Sequence, residues 1–156
     1  MEQGLDYRER ALCRMINELA NKVGIDERKY IHLNTVNNLI SHFTSIPTEH
    51  DKVWIHESLT DFIRQCEANL GSIDKNLSNS LFEKYLKKVT FYYSDNLGFS
   101  FLLNRTIFTL IYITLFVLLL IIFNLQVSLF VIGIYLFHSL YVLKKYREKK
   151  VYSIFY

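Results

Sequence analysis

From Thr106 to Leu143 the chain carries no Asp, Glu, Lys or Arg. The run divides at Asn124-Leu125-Gln126. Residues 106–123 are Ile, Phe, Leu, Val, Tyr and three Thr. In residues 127–143 His138 is the one ionisable side chain apart from tyrosine. As helices rising 1.5 Å per residue, the two segments span about 25–27 Å, close to a hydrocarbon core of about 30 Å. As one helix the block would run about 57 Å, too long for a single crossing. Core helices of water-soluble proteins rarely stay uncharged on every face. The expectation is a C-terminal two-helix transmembrane hairpin over residues 106–143. Its turn, at 124–126, belongs at the far interface, where water reaches the backbone.

Flanking charge sets the expected orientation. Lys84, Lys87, Lys88 and Arg105 precede the block, and Lys144, Lys145, Arg147, Lys149 and Lys150 follow it, while the turn carries none. The positive-inside rule then places both termini in the cytoplasm, at the inner membrane if the cell is bacterial. Residues 1–98 hold 12 Lys and Arg against 14 Asp and Glu, and residues 99–156 hold 6 against 1. The basicity is therefore juxtamembrane. It predicts lipid contact by Arg105, Lys144, Lys145, Arg147, Lys149 and Lys150, and no nucleic-acid partner. Residues 99–105 read as an interfacial linker. Residues 144–156 read as a basic and aromatic tail, expected on the head groups in preference to docking on the rest of the chain.

Residues 1–98 read as a soluble helical domain. Leu12, Met15, Ile16, Leu19 and Val23 recur at helical spacing over residues 6–23, with Gly24 as a C-terminal cap. Asp26 caps a second segment with a stripe from Tyr30 to Phe43, in which three Asn allow a break near Leu33. Pro47 marks a boundary. Thr48 and Asp51 resemble a capping box for a third helix reaching Asn69, with Ile55, Leu59, Phe62, Ile63 and Cys66 inward. A fourth begins at Ser72-Ile73-Asp74 and ends before a short linker at 95–98. The fold class is all-α, a bundle of about four helices followed by the hairpin.

Chemistry is sparse. Cys13 and Cys66 lie on apolar helix faces with no metal-type spacing, and read as unpaired buried thiols. His50, Glu57 and Asp61 share one face of the third helix, which predicts either a carboxylate–histidine site or a solvated face. The Arg28 to His32 gap is too short for the pattern of helical HEPN ribonucleases. No Gly-rich phosphate loop or nucleophile elbow is present, and no cofactor or metal is expected. His138 stands out, because an ionisable group inside a membrane span is a functional candidate. Counting outward from Leu125 puts Tyr112 at the same depth, within hydrogen-bonding reach. Thr109 and Ser139 add small polar positions that allow close helix contact.

The expectation is a non-enzymatic integral membrane protein whose cytoplasmic domain binds a protein partner, as accessory, sensor or immunity proteins do. The alternative is a self-assembling pore or effector of a bacterial defence system, lined by Tyr112, His138, Thr109 and Ser139. A membrane-anchored hydrolase ranks third. The bilayer and further copies of the chain are the expected partners.

Overall fold

The computed structural model describes residues 6–24, 27–101, 105–122 and 125–153; the side chains of 105, 106 and 125–128 are outside the description. Asp26, Asn124 of the expected turn and the side chain of Arg105 therefore lie outside the described residues, whereas Leu125 and Gln126, expected in that turn, already belong to a helix. The chain is mostly helical, and all-α describes it.

Helix α1, Tyr7–Lys22, begins where Asp6 accepts a hydrogen bond from the Arg8 amide. It ends differently from expectation. Val23 turns extended, and its N–H still reaches Leu19 O. Gly24 is not left-handed, and its carbonyl accepts the amides of Glu27 and Arg28 to start the next turn.

The second segment is broken. A 3-10 turn, Arg28–Ile31, stops at His32, whose φ of +48° is left-handed, and α2 runs only over Leu33–Ile40. The Asn-rich sequence favours such a break, because Asn competes poorly for helix. A second 3-10 turn, Phe43–Ser45, leads to α3, Glu49–Ala68. Here the capping is as expected: the Thr48 hydroxyl accepts from Asp51 N at 3.1 Å and donates to the Asp51 carboxylate at 2.6 Å.

Helix α4, Lys75–Leu81, is capped by Asp74 at Leu77 N. It continues through a five-residue π turn, Phe82–Leu86, where the Lys87 N–H reaches Phe82 O, into α5, Lys87–Leu97. The helix thus runs into the expected linker at 95–98, as far as Leu97. Gly98, at φ +67°, ends it in a conformation that costs other residues.

One core joins these elements. Leu12, Ile16 and Leu19 of α1 meet Leu39 of α2, Ile55, Leu59 and Phe62 of α3, and Leu86, Val89 and Tyr93 of the last helix. Fully burying such side chains favours folding by about 1.5–3 kcal/mol each. Helices α1 and α3 run parallel, since Arg8 pairs with Glu49 at one end, at 2.9 Å, and Lys22 with Glu67 at the other. These pairs are exposed and mark register more than they stabilise. Cys66 is buried, and burial pushes its thiol up to about 12; Cys13 is half-buried, and both are free.

Helices α6, Arg105–Ile122, and α7, Leu125–Arg147, form an antiparallel pair. The connection to the domain differs from the sequence expectation. Phe99 is buried, edge-on to Tyr93 at 5.0 Å and to His42 at 5.2 Å. Next, β1, Ser100–Phe101, pairs in parallel with β2, Val151–Tyr152, which follows α7. The tail is not free at the head groups over these residues. Asn38 Nδ2 donates to Val151 O at 3.0 Å, and Thr35 Oγ1 both donates to Ser153 O and accepts from Ser153 N. Residues 151–153 of the tail lie against α2, with the Val151 carbonyl and both backbone polar groups of Ser153 hydrogen-bonded there.

His32 lies under this seam. Its Nε2 is 3.1 Å from Ser78 Oγ, and its ring tilts on Phe82 at 5.0 Å. Burial pulls its pKa down to about 4, opposed in part by a hydrogen bond to the Ser153 backbone. The folded value lies below the ordinary histidine value of 6.5. This contribution to stability is therefore complete above about pH 6.5 and is lost as pH falls towards 4, to roughly 3 kcal/mol. Thermal unfolding of the full chain should show that acid slope. His32→Asn, which suits the left-handed backbone, should flatten it while lowering stability throughout.

Candidate functional site

The hairpin is the distinctive surface. Among the described residues the exposed large hydrophobic side chains lie almost entirely on α6 and α7; Tyr7, Val53, Phe91 and Phe101 are the exceptions. Ile121 is 76% exposed, Phe130 74% and Phe137 76%. Leu129–Arg147 of α7 is long and apolar enough to cross a membrane, and Ile107–Ile122 of α6 is a shorter apolar helix.

Within the hairpin the polar groups turn to each other. Tyr112 Oη lies 3.1 Å from His138 Nδ1. Phe108 stands edge-on to His138 at 4.5 Å, and the Tyr135 ring lies 5.2 Å from that of Tyr112. Equal depth, counted from the turn, was enough to foresee this pair; the aromatic wall around it left no mark in the spacing. Ser139 is half-buried beside His138. Thr109 faces elsewhere, into a lateral groove of about 260 Å³ with Tyr112, Ile113, Phe116, Val131, Ile132 and Tyr135. Tyr112→Phe should weaken α6–α7 association by about 0.6 kcal/mol, the usual worth of such a bond in a membrane protein. Unfolding in micelles would measure it, and total helicity should not change.

The basic residues divide. Lys144, Lys145 and Arg147 lie on the last turn of α7 itself, where cations suit the helix C-terminus. Lys145 is turned to the domain: its Nζ donates to Gly98 O at 2.8 Å and sits 5.7 Å over the Tyr141 ring. Lys144, Arg147 and Lys149 are exposed, and Lys150 is half-buried. Lys149 takes a left-handed φ of +54° that turns the chain into β2.

On the domain, His50, Glu57 and Asp61 point to solvent, the His50 side chain being 91% exposed. Among the described residues no cluster of three His, Cys, Asp or Glu is arranged to hold a metal. The organised polar group is Asp51. It accepts from Thr48, from Trp54 Nε1 at 3.0 Å and from Tyr92 Oη at 3.0 Å. These bonds, that of Thr48 first, hold its carboxyl down at about 2. Trp54 meets Tyr92 edge-on at 5.7 Å, and Lys88 Nζ lies 4.8 Å over its ring. Their chain neighbours Val53 and Phe91 are exposed. The sequence did not reveal this cluster, because its members come from two helices far apart along the chain.

No protein-family model, curated protein or solved structure matches the chain.

Proposed function

We propose that α6 and α7 cross a bilayer together as a hairpin, and that the helical domain acts on its cytoplasmic side, without catalysis, by binding a protein partner. The observation that carries this reading is the concentration of exposed apolar surface on α6 and α7, bordered by Lys144, Arg147 and Lys149. A soluble monomer rarely shows apolar surface so contiguous. By the positive-inside rule, these cations support a border at the cytoplasmic head groups. For the partner, the Trp54–Tyr92–Lys88 cluster with Val53 and Phe91 has the aromatic and cationic composition of binding hot spots.

The test is labelling with a membrane-impermeant maleimide in a Cys13→Ser background. Asn124→Cys should react from outside the cell, and Lys149→Cys only after permeabilisation. Labelling of both from the same side would refute the hairpin topology.

A self-assembling pore is the second reading, favoured by the mostly apolar lateral groove at Thr109, where a small polar residue allows close helix contact. The mutual satisfaction of Tyr112 and His138 weighs against it, because a lumen needs polar groups turned outward from each hairpin. Vesicles loaded with dye separate the two. The tether reading expects no leak from wild type, whereas a leak abolished by His138→Leu would establish the pore.

A further inference from the structure

The cytoplasmic end of α7 carries a recess of about 290 Å³ lined by Leu140, Leu143, Lys144, Arg147 and Glu148. Spacings of three and four put these residues on one helix face. The Glu148 amide still donates to Lys144 O at 3.0 Å, so the face continues past the last full turn. Along it the character changes in order, from apolar at Leu140 and Leu143 to two cations and then one anion. Lys144, Arg147 and Glu148 form no ion pair with another described residue. Lys145, between them in sequence, is already committed to Gly98 O.

A ligand that matches this order has hydrocarbon, then a phosphate, then an amine. We infer that the recess holds the headgroup of phosphatidylethanolamine. The phosphate oxygens lie between Lys144 Nζ and the Arg147 guanidinium, the ammonium on the Glu148 carboxylate and the acyl chains along Leu140 and Leu143. Guanidinium and ammonium donors to phosphate make strong charge-assisted bonds. The anion decides the class. A simple anionic lipid leaves Glu148 unpaired beside a phosphate. A choline headgroup offers it charge but no N–H donor, whereas a primary ammonium offers three. This site rests on the reading of α6 and α7 as membrane-embedded.

Full-length protein in detergent is titrated with phosphatidylethanolamine, phosphatidylglycerol and phosphatidylcholine of identical chains, and bound lipids are counted by native mass spectrometry. Phosphatidylethanolamine should bind about tenfold more tightly than phosphatidylcholine. Lys144→Gln with Arg147→Gln should remove that advantage. Glu148→Gln should invert the preference towards phosphatidylglycerol. Equal binding of all three lipids overturns the site, as does a wild-type preference for phosphatidylglycerol that Glu148→Gln leaves unchanged. Chain-free glycerophosphoethanolamine should not bind; binding as tight as the lipid's would overturn the lipid as its source. Alkaline extraction of native membranes separates the two layers of inference. Release of the protein sinks both, whereas retention without headgroup preference sinks the site alone.

Discussion

Ile134→Arg should abolish stable membrane integration. Ile134 lies near the middle of α7, is 57% exposed and is surrounded by apolar residues on its own helix. A central arginine costs insertion about 2.5–3.5 kcal/mol on translocon scales. Ile107–Ile122 of the partner helix α6 is the shorter apolar segment, so the pair has little reserve to absorb that cost. The expected result is a protein lost from the alkali-resistant membrane fraction, with Ile134→Val as the silent control. A variant retained as fully as wild type would mean that α7 is covered by protein instead of lipid.

The second large effect falls on the domain. Tyr93 is completely buried, donates its hydroxyl to Leu39 O at 3.0 Å and packs edge-on against Phe99. Burial raises its phenol well above the ordinary range, so it stays a neutral donor. Tyr93→Ala would leave a cavity costing about 3–5 kcal/mol, by analogy with other large aromatic truncations. It would also remove one hydrogen bond from the Leu39 carbonyl, which keeps the His42 amide at 3.2 Å, at about 0.5–1.5 kcal/mol. Against a typical stability of about 5–15 kcal/mol, the domain should unfold or become protease-sensitive. Tyr93→Phe keeps the volume and should lose only the smaller part. Limited proteolysis of the two variants distinguishes a packing role from a bonding one.

The contrast between residues that could and could not be read in advance follows from range. Helices α1 and α3 were legible because each writes its own period, and α3 also writes its cap at Thr48 and Asp51. The Tyr112–His138 pair was legible because a hairpin folds depth into sequence distance. Phe99 was not. A lone aromatic beside an apolar block reads as interfacial, and only the Tyr93 and His42 rings reveal it as core. Nor was the seam on α2. Thr35 and Asn38 bond backbone groups more than a hundred residues away, and a side-chain-to-backbone bond imposes no periodicity on either partner. The π turn at 82–86 was also silent, since one extra residue shifts the apolar face without erasing it. The Asp51 cluster needed the meeting of α3 and α5.

The parallel pairing of β1 with β2 has a mechanical consequence. A domain hung from a single flexible segment can swivel like a buoy on a line. Here the chain leaves through Ser100–Phe101 and comes back through Val151–Tyr152, the two strands are bonded to each other, and the second is fastened to α2. The hairpin is then a mast, and the domain is bolted to it at a set heading. If α6 and α7 cross a bilayer, their tilt, set by packing and by interfacial anchors, carries the domain with it. A change in that tilt would then swing the face carrying Trp54 through an arc along the membrane surface.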